Sequence, residues 1–133
     1  MIEHRRVTDC KYLIDWAIAD GTDKKDAEDT YKKLLFAYEA WEDGELLGTA
    51  YATYRKKEYT LDGYNRTGNF FGACNLGREV INELFDTYTD VIYTYHDTDK
   101  RSVTALARRL GFVEDFTAED MTIFKLEKKN GNE

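Results

Sequence analysis

At 133 residues the chain is long enough for one domain with its own core, and it needs neither disulfides nor a structural metal to fold. Its formal charge of -7 argues against a nucleic-acid partner, because phosphate binding draws on excess cations, and favours encounter with amines or lysine-rich surfaces. No run approaches the ~20 consecutive apolar residues of a membrane span and the start, MIEHRRVTDC, lacks a secretion-signal pattern, so a soluble, cytoplasmic protein without a membrane partner is expected.

The chain has no proline, which leaves glycine, asparagine and aspartate to mark the turns. After a short extended piece at residues 3–7, Thr8 or Asp9 is expected to cap a helix that runs to Ala19. Leu13, Trp16 and Ala17 give that helix its apolar face, and Asp20-Gly21 ends it. Asp23 caps a second, highly charged helix anchored by Tyr31, Leu34 and Leu35. The aromatic-rich runs FAYEAW and ELLGTAYATY flank Asp43-Gly44, a strong hairpin signal.

A third strand is expected at residues 69–74, with the Asp62-Gly63 stretch as a turn or ragged extension. LGREVINELFDTY then reads as a helix with Leu76, Val80, Leu84, Phe85 and Tyr88 on one face. Glu79 and Glu83 fall on its other side, where solvated charge is the default. DVIYTY is a strand, and Tyr93 and Tyr95 share one of its faces while His96 takes the opposite one. A further helix is capped by Asp97 or Asp99, buries Val103, Leu106, Ala107 and Leu110, and exits through Gly111. FVEDF and MTIFKLE close the domain as a hairpin across TAED, so residues 1–128 form a single domain and 129–133 a frayed tail. Cys10 and Cys74 have no CxxC or Cys/His companions, which points to two reduced thiols and no metal site.

This order of elements predicts an α+β domain, a mixed and mostly antiparallel sheet with helices on both faces. The strands on either side of the crossover helix should be parallel neighbours. In such sheets ligands sit at the carboxyl ends of the strands, near helix N-termini.

The stretch DTDKRSVTALARRLGFVED, a capped helix followed by Leu-Gly-Phe and another strand, resembles the C-terminal part of the GCN5-related N-acetyltransferases (GNAT). The element order is similar to that family over nearly the full chain. The resemblance implies acetyl-CoA as acyl donor and a small amine or a lysine-bearing protein as acceptor, and a homodimer is compatible with it. It also implies a splay between the fourth and fifth strands that admits the pantetheine arm, and a loop whose backbone N–H groups hold the pyrophosphate at the next helix. The family's Arg/Gln-x-x-Gly-x-Gly/Ala loop corresponds to GACNLG, with Gly72 first, Asn75 in place of the middle glycine and Gly77 last. Cys74, Asn75, Leu76, Gly77 and Arg78 are thereby nominated for the cofactor, with Asp99 at the final helix. On the residues alone, Gly72 and Gly77 equally suit a strand-to-helix turn, and Asn75 a simple N-cap.

His96, at the end of its strand, is the candidate general base, and Tyr95 is the second candidate catalytic side chain. A His bonded to a nearby helix cap and a core tyrosine are the structural alternatives. Family enzymes often carry a tyrosine four residues before the glycine of Gly-Phe, placed to protonate the departing thiolate, and here that position is Ala107. The alternative function is therefore a catalytically silent GNAT-like interaction module. In its second half the layout is similar to a small virion-associated protein of certain short-tailed bacteriophages.

Overall fold

The apolar and aromatic runs around Asp43-Gly44 fold as the central hairpin of the computed structural model, which describes residues 2–65, 70–97 and 101–129. Strands β2 (Leu34–Glu42) and β3 (Glu45–Arg55) pair antiparallel from Leu34↔Thr53 to Glu42↔Glu45, with β1 (Glu3–Val7) on the outer edge of β2. Asp43 (φ 51°) and Gly44 (φ 79°) both take the left-handed backbone of a two-residue turn matched to strand twist. β4 (Glu58–Asn65) pairs antiparallel with β3 along its whole length. β5 (Val91–Asp97), β6 (Val113–Thr117) and β7 (Met121–Glu127) complete a seven-stranded sheet of order β1-β2-β3-β4-β5-β7-β6. Of its strand contacts, β4 to β5 is parallel and the others are antiparallel.

Side-chain alternation along the strands separates two cores. On one face α3 (Phe70–Glu83) and α4 (Arg101–Arg109) cover Phe36, Ala50, Ala52, Leu61, Ile92 and Phe124. α3 contributes Leu76, Val80 and Ile81, and a π-helical turn over Leu84–Tyr88 extends it. On the other face α1 (Tyr12–Ala19) and α2 (Lys24–Lys32) lie over Ala37 and Tyr51, with Cys10 and Leu13 buried between. The Tyr12 hydroxyl donates to the buried Glu39 carboxylate at 2.5 Å, and Trp41 Nε1 donates to the same carboxylate at 3.0 Å. Those donors, with Thr49 Oγ1 2.8 Å from the same hydroxyl, satisfy a carboxylate that would otherwise be costly to bury. Burial is the main reason the Tyr12 hydroxyl is pushed far above its ordinary pKa. Both cysteines are buried and free, and no helix among the described residues is long and apolar enough to cross a membrane.

Four local expectations are corrected. Residues 70–74 of the strand expected at 69–74 are instead the start of α3, with Asn69 outside the described residues, and the third strand of the meander is β4, entered from β3 through a turn at Lys56-Lys57. Both lysines adopt positive φ (51° and 66°), an uncommon choice for residues with a Cβ, so the sequence carries no glycine or asparagine to announce that hairpin. Neither Thr8 nor Asp9 caps α1: its N-cap is Lys11, without a side-chain bond, because Asp9 accepts the Tyr31 hydroxyl of α2 at 2.5 Å. Leu34 and Leu35 belong to β2, not α2. Glu79 and Glu83 are not idle surface charges: His4 Nδ1 lies 2.8 Å from Glu79, and Arg6 donates twice to Glu83 at 2.8 and 2.7 Å, pinning edge strand β1 to α3. The Asp23 cap, the Gly21 exit and the Asp43-Gly44 turn stand as expected. Residues 130–133 and Asp99 lie outside the described residues.

Two predictions follow from these contacts. Gly111 ends α4 at φ 99°, where Phe112 N–H reaches the Ala107 carbonyl at 3.0 Å. Gly111→Ala should lower the unfolding free energy by about 1–2 kcal/mol, read as a lower urea midpoint at unchanged slope. The bidentate Arg6 bond holds the Glu83 carboxyl below its ordinary 4.5. Its contribution is therefore complete above that value and is lost as pH falls through the lowered one. Glu83→Gln should be less stable at neutral pH and lose less on acidification, and identical acid limbs for the two proteins would remove this pair from the account.

Candidate active site

β4 and β5 are parallel neighbours, yet a single registered pair, Thr60↔Tyr93, joins them. Toward their carboxyl ends the registered pairs of each strand lie on its far side. β4 pairs with β3 as far as Asn65↔Gly48, and β5 pairs with β7 as far as Asp97↔Met121. No registered pair joins residues 61–65 to residues 94–97. An unladdered strand edge offers backbone donors and acceptors to an extended, amide-bearing ligand. Among the described residues α3 begins at Phe70, after β4 in the chain.

This geometry redistributes the residues nominated from the sequence. Cys74, Asn75, Leu76, Gly77 and Arg78 form no loop; they occupy the second and third turns of α3. Asn75 is consequently not an N-cap, and the backbone N–H groups of this stretch are spent inside the helix. Cys74 and Leu76 are core side chains, each 4% exposed. Gly77 lies against α4: a Cβ there would stand 2.9 Å from Leu110 Cδ1, so its missing side chain lets the two helices approach. Asn75 and Arg78 are the two that face solvent. Among the described residues no group of three or more His, Cys, Asp or Glu is placed to hold a metal.

His96 and Tyr95 do sit where the strands have parted, on opposite faces as expected. His96 stacks on Phe124 with ring centroids 5.0 Å apart, on the side covered by α3 and α4. Tyr95 turns to the other face, where its hydroxyl donates to Glu58 and its ring meets the Arg55 guanidinium at 5.4 Å. Burial, and then the Glu58 bond, push it up to about 12. Ala107 is 4% exposed in the α3–α4 core.

The residues that sequence reasoning missed are Asp62, Gly63 and Tyr64. They are the β4 side of the opening, disguised by an Asp-Gly pair that reads as a turn. Gly63 is demanded by proximity and not by turn geometry, since a Cβ would stand 2.7 Å from the Thr49 carbonyl oxygen of β3. The missed signal is the alternation of Tyr59, Leu61 and Gly63 with Thr60, Asp62 and Tyr64. On the α1–α2 side, Asp62 and Tyr64 border a cavity of about 120 Å³ that Leu13, Thr22, Tyr31 and Tyr51 also line.

No protein-family model matches the sequence, and no curated protein matches it. Solved structures do match. An N-acetyltransferase from Staphylococcus aureus Mu50 superposes with a TM-score of 0.74 at 13% identity, covering 96% of this chain and 97% of that one. The Campylobacter jejuni N-acetyltransferase PseH in complex with acetyl coenzyme A gives 0.68 at 13% identity, covering 97% and 100%. The ribosomal-protein-S18-alanine N-acetyltransferase of Escherichia coli gives 0.65 at 17% identity, covering 98% and 97%. The fold is that of the GNAT acetyltransferases. Within this GNAT fold the opening between the fourth and fifth strands lies at residues 61–65 and 94–97, so its β4 wall is not the Cys74 segment.

If the seam is open as described, amide protons directed into it from residues 61–65 and 94–97 should exchange faster than those directed at β3 and β7, by about a hundredfold. Uniform protection on both sides of the two strands would show that they are zipped together.

Proposed function

We propose that the chain is a GNAT-like N-acyltransferase that moves an acyl group from acyl-CoA, acetyl-CoA in the simplest case, to an amine. The single-pair seam between β4 and β5 carries this reading. The edges of residues 61–65 and 94–97 suit the amide-bearing arm of the cofactor, which would add to them as a short strand does. The amino-terminal end of α3 suits its phosphates, because a helix N-terminus carries a partial positive charge. Arg78, the one cation of that helix, adds charge of the right sign. When bound, the thioester supplies an activated acyl carbonyl.

The chain's own part is to bind the amine and remove its proton. His96 stands on β5 within the parted segment, and an imidazole near neutrality is suited to take a proton directly or through one water. Tyr95 donates its hydroxyl to Glu58 and is held protonated, so in this reading it shapes the opposite side of the strand. The net charge of -7 favours a cationic acceptor, a small amine or a lysine-bearing protein, in its protonated resting form. The buried Ala107 supports a second reading, cofactor binding without turnover, since α4 offers no hydroxyl at that position to protonate a thiolate.

Thermal melting with acetyl-CoA tests both. Ligand at about 100 times its dissociation constant adds about 2.7 kcal/mol, a rise of several degrees for a domain of this size. No shift sinks both readings. A shift with measurable acetyl transfer to a panel of amines supports the transferase, and a shift without transfer supports the silent binder. In the active case His96→Ala should lower turnover by about a hundredfold or more while leaving the melting shift in place.

A further inference from the structure

A cavity of about 120 Å³ lies between the α1–α2 layer and the sheet. Its walls are apolar and aromatic: Leu13 and Ala17 of α1, Ala27 of α2, and the rings of Tyr31, Tyr51 and Tyr64. Among the described residues that line it, Asp62 alone is charged. The space is close to the ~150 Å³ of an engineered cavity that takes up benzene, and far below the ~300–1,000 Å³ of a drug-sized pocket. An apolar enclosure with one oriented polar group is how a protein holds a small amphiphilic ligand.

Asp62 is held in place by the sheet. It pairs with Tyr51 across the β3–β4 ladder, and both side chains point to the α1–α2 face. The Gly63 N–H donates to Asp62 Oδ1 at 2.8 Å, and the Tyr51 hydroxyl donates to the same carboxylate. Burial first, and then the Asp62 charge, push that hydroxyl far above its ordinary range, so it stays a donor. The charges of Asp62 and Asp20 both reach the Tyr64 hydroxyl, which makes this end of the cavity anionic. Oriented in this way, the carboxylate can take an ammonium as a further partner.

Asp62 also belongs to the β4 segment, residues 61–65, that has no registered pair with β5. An ammonium on its carboxylate would stand at the seam, with its carbon body among the rings and methyls of the cavity. A neutral ligand gains nothing from the charge, and a second ammonium inside would meet no second carboxylate in the lining. The backbone of a lysine-bearing protein has no room in so small a space. We infer that this cavity takes a compact monoamine with an apolar or aromatic body, its ammonium on Asp62, and that this amine is the acceptor of the proposed transfer. Its role as acceptor rests on the acyltransferase reading; its binding does not. In the transfer the ammonium gives one proton to a base and the nitrogen bonds the acyl carbon. Its next proton leaves with the CoA thiol as the carbon–sulfur bond breaks.

Benzylamine and its neutral analogue benzyl alcohol test the site without cofactor, by NMR titration of the Leu13, Ala17 and Ala27 methyls. Benzylamine should bind in the millimolar range, and benzyl alcohol about tenfold more weakly. Asp62→Asn should weaken benzylamine about tenfold and leave benzyl alcohol unchanged, and Ala17→Leu, which fills the space, should abolish both. In turnover Asp62→Asn should raise KM for benzylamine about tenfold with little change in kcat, as expected of a positioning residue. Absence of saturable benzylamine binding overturns the inference, as does equal affinity for the two ligands or indifference to both substitutions. An acetyl-CoA melting shift without benzylamine binding sinks this inference alone. Asp62-dependent benzylamine binding without an acetyl-CoA shift sinks the transferase reading and leaves the amine site standing.

Discussion

The pair Thr60↔Tyr93 is the constraint on which the architecture turns. It divides the sheet into two antiparallel ribbons, β1 to β4 and β5-β7-β6, that touch through one point of a parallel ladder. Ladder bonds do not hold the ribbons together; packing does. Leu61 of β4 and Ile92 of β5 are both buried beneath α3, whose Leu76, Val80, Ile81 and Leu84 bridge the seam. A directionless apolar contact on one face thus does the work that ladder hydrogen bonds do elsewhere in the sheet.

The Leu-Gly-Phe run makes sense in the same frame. Leu110 packs on Gly77 and so sets how closely α4 approaches α3. Gly111 turns the chain, and Phe112 drops into the core that spans the ribbons. The three residues thus fix the lid of the seam's covered face. Ala107 belongs to the same set: at 4% exposure its small side chain fills the helix–sheet contact, where a larger aromatic ring would have to displace a neighbour.

How much of this was legible depends on whether local chemistry and tertiary demand agreed. Asp43-Gly44, Asp23 and Gly111 are residues whose backbone or capping preferences select one local structure, and each was read correctly. The fold class and the existence of a splay were legible through the order of elements. The position of the splay was not, because two signals misled in sequence. Lys56-Lys57 turns a hairpin with residues that disfavour positive φ, held there by eight registered pairs of β3 with β4. Asp62-Gly63, a turn dipeptide elsewhere, sits inside a strand because β3 passes too close for any Cβ at Gly63. Shifting that strand by several residues made the first turns of α3 look like a loop and lent Cys74 to Arg78 a role their helical backbone does not support. The Arg6–Glu83 and His4–Glu79 contacts join residues more than 70 positions apart, and no local pattern announces them.

A two-ribbon sheet also explains why one molecule shows both an open seam and a bare face. Four strands of the first ribbon are wide enough for α1 and α2 to lie across, and the buried Glu39 network fastens α1 there through Tyr12. The second ribbon has three strands and a single helix, α4, which sequence order commits to the α3 side by the crossover from β5 to β6. No helix remains for its other face. Had the ribbons been laddered along their length, the sheet would be one continuous surface, and a helix pair placed over β3 and β4 would shield part of β5 as well. The parting of the strands and the exposure of Phe116 and Val113 are then two results of one economy of contact: the ribbons share a core on one face only.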